Sequence, residues 1–521
     1  MKLKNKKLLT RFVRTIGLLT IITIISKILG LLREIGIASY FGVGSITDAF
    51  YAALIIPALL FSSVGVAIQN LFMIEFTSVK KQYEDKLEES KLASNVSNIL
   101  LVISFAIFII SFIFTPTIIR VIAPGFKDPD KFDITIKLTR ILLPTMLIIP
   151  IYQVRASMLR VYNRFVTVAI IDLCFNVFQL VYLLLFSKKL GIYGLAYSIL
   201  FAYLFQLIVI EIINYKMGFK EVAILDFNNK HWKTILRLFI PTFISFGIIQ
   251  VNAMVDKIIA SNLGDGAITA LNYGFMVRTV IYTILISTIL LVIYPTLLKL
   301  IEKKDFEKYQ KTASTSLMVI FKLSIPVTIF IILFHDSIIR ILYERGEFDS
   351  NATLMTSKVL LYYIIGLTFY AIKELLIHIS YTYKNTKMPL IVTLIGCLLN
   401  IIFSIILKIW MGVYGVALGL AVSEFISFII ILIWVNNKKY LNISKTLKKI
   451  LYLFFINLLL GIIVYVVKEN IIITNNKIME LIIIGLFFGI WALVYLLILK
   501  FTKSSLLEDF VMIMNGKDEN D

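Results

Sequence analysis

Long apolar stretches separated by short polar connections run along almost the whole chain. An α-helix needs roughly 20 residues to cross a bilayer, and we count fourteen stretches of about that length or longer. Their predicted bounds are 14–38, 48–74, 93–123, 134–159, 165–187, 191–215, 233–260, 267–298, 313–342, 353–382, 388–409, 413–435, 447–467 and 478–500. The pattern predicts an all-α integral membrane protein with about 14 transmembrane helices.

Part of the first half of the chain returns in the second half. The run 37–47 (IASYFGVGSIT) is matched by 259–269 (IASNLGDGAIT), an offset of 222 residues. Further along, 191–196 (GIYGLA) is matched by 412–417 (GVYGVA), an offset of 221. Two matches at nearly one offset indicate a duplicated unit of about 220 residues, which is how many transporters are built.

The duplication divides the predicted spans into two sets of six, followed by two more. We predict an N-terminal lobe over residues 1–217, a C-terminal lobe over 218–437, two extra transmembrane helices within 438–501 and a cytoplasmic tail over 502–521. Six spans return the chain to its starting side, so the two lobes insert the same way up as parallel repeats.

Basic residues are concentrated in alternate connections. One set of connections carries 29 Lys and Arg residues and the opposite set carries 8, which predicts that both termini are cytoplasmic. Hydrophobic residues make up 59% of the chain and charged residues 16%. The net charge of +20 is therefore mainly a topology signal. Nucleic acid is not an expected partner, because it would need a soluble basic surface.

Ionisable side chains inside the predicted spans are the candidate functional residues, because a charge in the hydrocarbon region is costly. The substrate-binding candidates are Lys27, Arg33, Asp48, Arg278 and Lys373, with Glu34, Arg140 and Asp256 as supporting residues. Arginine offers a planar fork for phosphate oxygens and lysine a compact charge. Cations spread over two lobes therefore suit a multiply anionic head group bound between them.

Two of these positions also have structural explanations. Glu34 follows Arg33, and Asp256 precedes Lys257, so each carboxylate could simply neutralise its neighbour. A bend at Gly30 would be needed to turn Lys27 and Arg33 toward one cavity, because they are six residues apart.

The sequence contains none of the common signatures of catalysis or of a resident cofactor. We find no metal-ligand cluster, no phosphate-binding loop and no nucleophile elbow. Cys174 and Cys397 both lie in apolar spans, which is typical of packing residues. We therefore predict a protein that is not an enzyme and has no cofactor, with energy supplied by the membrane potential or by a coupled ion, Na⁺ or H⁺.

Several motifs together resemble the MurJ (MviN) family of lipid II flippases, which belongs to the MATE-like, or MOP, transporter superfamily. These are 26–34 (SKILGLLRE) with 48–50 (DAF), 123–126 (APGF), 139–144 (TRILLP) and 345–348 (RGEF). The resemblance covers residues 10 to about 435. It implies V-shaped lobes around a central cavity, with the last two helices forming a groove for a polyprenyl tail.

The chain departs from the family pattern at several cations. Of two family arginines in the first span, the first is Lys27 here and the second is kept as Arg33. A family arginine in the second span falls on Phe61, and another falls near Met276, with Arg278 the nearest cation. The glycan therefore stays open between lipid II, which is favoured, and another undecaprenyl-diphosphate glycan destined for teichoic acid or exopolysaccharide.

We predict a flippase that moves this glycolipid from the inner to the outer leaflet of the bacterial cytoplasmic membrane by alternating access. Its expected partners are the polyprenyl-diphosphate glycolipid and the lipid bilayer, with cell-wall synthesis proteins as further candidates. A MATE-type drug or cation antiporter is one alternative, and it would favour acidic residues in the cavity. A membrane glycosyltransferase or ligase is another, and it would need a catalytic carboxylate facing a large external loop.

Overall fold

The computed structural model describes residues 2–57, 63–83, 85–441, 444–469 and 477–501, together with Leu506 and Asp509. Within these residues every regular element is a helix. The chain forms two compact units, Met1–Thr269 and Ala270–Asp521. The predicted lobe boundary at 217/218 marks the duplication in the sequence and stays a prediction. Phe61 and most of the predicted tail 502–521 lie outside the described residues.

The described residues of the first unit form eleven helices. They are α1 (Lys2–Phe41), α2 (Ser45–Ala53), α3 (Ile55–Pro57), α4 (Ser63–Tyr83), α5 (Lys86–Ile113), α6 (Thr115–Ile122), α7 (Pro129–Leu142), α8 (Thr145–Val161), α9 (Phe165–Leu185), α10 (Ser187–Lys216) and α11 (Lys230–Ala260). Helix α1 continues through Gly30 without interruption. Lys27 and Arg33 are six positions apart, so these two cations lie on different sides of the helix.

The helices of the first unit pack in an arrangement that the duplication does not predict. Helix α1 packs along α9, whereas α11, its equivalent in the duplication, packs chiefly along α4. Trp232 and Ile235 of α11 are buried against Phe72 and Phe76 of α4. His231 Nδ1 also lies 2.6 Å from a carboxylate oxygen of Glu75. Helix α11 is thus fixed to the first unit by both apolar and polar contacts.

The second unit begins within the first turn of α12, and its described residues form nine helices in addition to one π-helical turn. They are α12 (Ala267–Tyr282), α13 (Thr288–Glu302), α14 (Phe306–Tyr343), α15 (Ser350–Ile365), α16 (Leu367–Thr382), α17 (Lys387–Met411), α18 (Val413–Asn437), α19 (Ser444–Glu469) and α20 (Lys477–Phe501). A π-helical turn, Thr283–Ser287, separates α12 from α13. Helix α18 packs along α15, α16 and α17, and α14 packs against α15, α16, α19 and α20.

Equivalent glycines of the two repeats have the same backbone conformation. Gly191 and Gly412 both have a φ of 57°, and Gly42 and Gly264 have φ values of 65° and 98°. Glycine adopts these left-handed conformations without the steric cost that a Cβ atom would add. The repeat in the sequence therefore extends to the turns that end α1 and α11, to the break at Gly191 near the start of α10 and to the turn between α17 and α18.

Ten helices among the described residues are long and apolar enough to cross a membrane, or eleven if α15 and α16 form one span bent by 40°. The predicted count of fourteen is not confirmed, and part of the second predicted span, 48–74, lies outside the described residues. The all-helical, multi-span class of the protein agrees with the prediction.

Candidate functional site

A cavity of about 460 Å³ lies inside the first unit, among α1, α2, α8, α9 and α10, and several polar side chains interrupt its mainly apolar wall. Arg33 of α1 lies on its wall, where its guanidinium donates to the side-chain oxygen of Asn176 at 3.1 Å and to Glu34 at 2.6 Å. The Arg33 side chain is 20% exposed. Its Nε–H has no hydrogen-bond partner among the described residues. Arg33 is therefore held in place while keeping an unused donor.

Glu34 and Tyr51 complete this network. The Tyr51 hydroxyl donates to the second carboxylate oxygen of Glu34 at 2.5 Å, so both oxygens of this buried carboxylate accept hydrogen bonds. The Asn176 amide in turn donates to the backbone oxygen of Ser26 at 3.3 Å. Glu34 thus neutralises Arg33, as the structural explanation of this pair expects. It also fixes the direction of the Arg33 guanidinium at the wall of the cavity.

Asp48 forms a second polar site, separate from Arg33. One of its carboxylate oxygens accepts the Gly266 N–H at 2.7 Å, and the other accepts the N–H and hydroxyl of Thr269 at 2.9 and 2.8 Å. These groups belong to the first turn of α12, whose unpaired N–H groups and helix dipole favour an anion. Asp48 therefore caps a helix from the second repeat, and no contact with Arg33 is found among the described residues.

Lys131 of α7 connects Asp48 to the turn before α12. Its ammonium lies 3.0 Å from Asp48 and 2.7 Å from Asp265. Nearby, the Gly125 N–H donates to the Ser261 hydroxyl at 3.2 Å. A Cβ atom at position 125 would lie only 2.0 Å from the Ser261 backbone oxygen, which explains why the APGF motif has glycine there. The Asp48 site is a compact set of contacts between residues far apart in the sequence.

In the second unit Arg278 of α12 has a partner that the sequence analysis did not identify. Its Nη2 donates to both carboxylate oxygens of Glu424 on α18, at 2.6 and 2.7 Å. Both side chains are buried, and the guanidinium also lies 5.2 Å from the Tyr370 ring centre. A Cβ atom on Gly366 would lie 2.6 Å from a Glu424 oxygen, so the bend between α15 and α16 leaves room for this carboxylate. Arg278 is a neutralised cation.

Glu424→Gln is expected to destabilise the second unit by about 3 kcal/mol, because it leaves the Arg278 charge buried without its carboxylate. Thermal unfolding of the purified protein in detergent measures the effect. Glu347→Gln is the matched control, since Glu347 is exposed. The double variant Arg278→Met/Glu424→Leu should recover much of the loss. An unchanged unfolding temperature in Glu424→Gln would contradict the assignment of this pair.

The other candidate residues do not line the cavity. Lys373 of α16 is half-buried, with its ammonium 4.8 Å from the Tyr370 ring centre and no carboxylate partner among the described residues. Lys27 is half-buried on α1, and Asp256 is buried on α11. Arg140 is exposed on α7, with its guanidinium 5.0 Å from the Phe112 ring centre. Arg33 and Glu34 are the only candidates on the wall of the cavity among the described residues.

Several residues of these sites were not singled out from the sequence. Glu424 is the one charged residue in the predicted span 413–435, so the rule that identified the other membrane charges could have found it. Lys131 lies in a predicted connection between two spans, so the rule for membrane charges does not select it. Asn176 and Thr269 are uncharged, and only the folded arrangement gives them a role.

The family model described as lipid II flippase MurJ matches residues 37–487. The chain belongs to the MurJ family. It is 26% identical over 477 residues to the probable lipid II flippase MurJ of Buchnera aphidicola subsp. Acyrthosiphon pisum (strain APS), covering 90% of this chain and 93% of that relative. It is 27% identical over 369 residues to the probable lipid II flippase MurJ of Aquifex aeolicus (strain VF5), covering 70% and 71%.

Solved structures agree with this assignment. A structure described as lipid II flippase MurJ in an inward closed conformation matches with a TM-score of 0.75 and 28% identity, over 92% of this chain and 98% of that one. An inward-facing multidrug resistance MATE family transporter of the MOP superfamily matches with a TM-score of 0.64 and 14% identity, over 81% and 96%, and supports the fold alone. The predicted MurJ resemblance and MATE-like fold are confirmed, and the lipid II flippase family is favoured over the drug antiporter.

Proposed function

We propose that this protein moves lipid II from the inner to the outer leaflet of the bacterial cytoplasmic membrane, with both of its termini in the cytoplasm. The observation that carries the proposal is Arg33 of the first predicted span, which Glu34 and Asn176 hold at the wall of the cavity with one donor unused. A guanidinium fixed in this way is suited to the diphosphate of a polyprenyl glycolipid. Membership of the MurJ family supports lipid II over other glycans.

The Asp48 site supports transport by alternating access. The predicted topology places the turns after α1 and α11 on the external side, and Asp48 and Lys131 hold these turns together. Hydrogen bonds that the N–H groups of a helix start donate to an anion are strong when desolvated and exchangeable when water enters. We infer that these contacts close the external side while the head group binds from the cytoplasm and that they break when it leaves.

Helices α19 and α20 are proposed to hold the lipid tail. Helix α20 is attached to α14 through aromatic contacts, including Phe330 with Trp491 at 6.1 Å and Phe334 with Phe487 at 5.5 Å between ring centres. Helix α19 also packs along α14. Much of their remaining surface consists of exposed apolar side chains, which suits contact with a polyprenyl chain. The inside-negative membrane potential, or a coupled Na⁺ or H⁺, is proposed as the energy source.

The function is tested by expressing the protein in a bacterium depleted of its own lipid II flippase. We expect growth to resume and lipid II to reach the outer leaflet, where an impermeant probe can detect it. Efflux of a cationic dye from the same cells is measured in parallel. Expression in the membrane without rescue, combined with dye efflux, would favour the drug antiporter and contradict the proposal.

A further inference from the structure

We propose that Phe334 of α14 is a hinge, held by Lys468 of α19, through which a bound lipid tail acts on the external end of the second unit. The inference rests on the proposed function, in which α19 and α20 hold the tail, and it adds how the tail affects the rest of the protein. Lys468 is a positioning residue in this proposal. The outer segment of α14 is defined as residues 335–343, which the predicted topology places on the external side.

Helix α14 bends at Phe334, where the backbone has a φ of −116° and a ψ of 17° in place of helical values. Sharp bends in helices have identifiable causes, of which proline is the most common. The proline of α14 is Pro326, eight residues before Phe334, and a proline ring disturbs the turn that precedes it. The bend at Phe334 therefore needs another cause.

Lys468 supplies this cause from a neighbouring helix. Its ammonium donates to the Leu333 backbone oxygen at 2.6 Å and lies 5.1 Å from the Phe334 ring centre. In an unbroken α-helix the same oxygen would accept the N–H of Ser337, four residues further on. The ammonium competes for this oxygen and also meets the negative end of the helix dipole. A side chain that enters the backbone hydrogen-bond ladder in this way bends a helix, so Lys468 stabilises the bend.

Lys468 is one of three charged side chains through which α19 and α20 hold the end of α14. Between positions 450 and 499 the chain has four charged residues, so most of the charge on these helices serves this contact. Glu480 pairs with Arg340 of the outer segment, and Lys477 donates to the backbone oxygen of Glu344 just beyond it. Glu480 is only 3% exposed, and a buried pair is costly to separate. The outer segment is therefore expected to follow any movement of α19 and α20.

Three buried aromatic rings connect the outer segment to α12. Tyr343, the last residue of α14, has its ring centre 5.0 Å from that of Tyr273 on α12. Phe348, in the turn after α14, lies 5.6 Å from Tyr343 and 6.0 Å from Tyr273 between ring centres. Rings packed as closely as this shift together, because protein interiors have few voids. A displacement of the outer segment thus reaches α12, whose first turn carries the Asp48 contacts.

The bend also has free space beside it. A cavity of about 20 Å³ is lined by Phe334, Ser337, Lys468 and residues of α20, and it has room for about one water molecule. Close packing resists movement in most of a protein core, so a void at the bend lets the outer segment turn relative to the rest of α14 without a clash. The bend, the charged contacts and the void together form a hinge.

The proposal is first tested on the full-length wild-type protein in nanodiscs of phosphatidylcholine. Undecaprenyl phosphate and geranyl phosphate are the probes, because they share the phosphate and differ in the length of the tail. We expect undecaprenyl phosphate to slow amide hydrogen exchange in the outer segment at least about fivefold and geranyl phosphate to leave it unchanged. An equal effect of both probes, or bound undecaprenyl phosphate without an effect, would overturn the hinge. A wild type that binds no undecaprenyl phosphate would instead contradict the proposed function.

The second test removes the cation at the bend. Lys468→Met should still bind undecaprenyl phosphate, lose the response of the outer segment and move lipid II at least about fivefold more slowly than the wild type. Lys468→Arg keeps a cationic donor for the Leu333 oxygen and should retain both properties. Lys500→Met is the matched control, because Lys500 is exposed at the opposite end of α20. A Lys468→Met protein with the wild-type response or the wild-type rate of transport would overturn the role of Lys468 and leave the flippase proposal standing.

Discussion

Arg33→Ala is expected to abolish rescue of a flippase-depleted bacterium while the protein still accumulates in the membrane. A hydrogen bond to a charged group is worth about 1.5–3 kcal/mol, so losing the phosphate contact of the unused Arg33 donor should slow lipid II translocation by about 10-fold to 100-fold. Arg33→Lys should be intermediate, because an ammonium keeps the charge and loses the planar fork. Growth rate and lipid II on the outer surface are the measurements.

The control for this variant must separate function from folding, since Arg33→Ala leaves Glu34 without its cation. Arg33→Ala/Glu34→Gln removes both charges and should recover stability while transport stays absent. Arg120→Ala, at an exposed arginine of α6, should grow like the wild type. Normal growth with Arg33→Ala would exclude Arg33 from head-group binding.

Asp48→Ala is expected to open the contacts between Asp48 and the start of α12. The substitution removes the carboxylate that accepts from Gly266, from Lys131 and twice from Thr269. Of the two carboxylates that contact Lys131, only Asp265 then remains. Removing one partner of a buried charge pair costs up to about 5 kcal/mol. A cysteine at Ser261, in a Cys174→Ala/Cys397→Ala background, should therefore react at least about tenfold faster with an external impermeant maleimide.

Asp130→Ala is the matched control for this experiment, because Asp130 is exposed on the same helix as Lys131. Equal labelling of Ser261→Cys with and without Asp48 would contradict the proposed external closure.

The structure also predicts that Asp48→Asn and Arg33→Lys act additively, within about 0.5 kcal/mol, because the two side chains share no contact. A larger coupling would indicate that Asp48 influences the position of Arg33.

The class of the protein and its family could be predicted from the sequence for physical reasons. Lipid forces the backbone into helices, so apolar stretches reveal the spans, and a charge in such a stretch attracts attention because it is costly. This reasoning found Arg33, Glu34 and Asp48. The repeated motifs identified Gly191 and Gly412 as equivalent positions, and the structure gives both glycines the same φ.

The partners of these charges could not be predicted in the same way. Asp48 and Thr269 are 221 residues apart, and Arg278 and Glu424 are 146 apart. Hydrophobic periodicity assigns each residue to a helix and gives no information on which helices are neighbours. Sequence motifs also suggested that Arg278 could serve as a free cation, whereas burial beside Glu424 neutralises it.

The packing of α11 has a consequence for chimeric proteins made from two members of this family. By descent α11 belongs to the second repeat, but it is seated against α4 in the first unit through Trp232 and His231. A crossover at the duplication boundary, 217/218, would pair an α11 from one parent with an α4 from the other and mismatch both surfaces. A crossover just after Thr269 would keep them from the same parent. Recombination libraries should therefore yield more folded proteins from the second crossover than from the first.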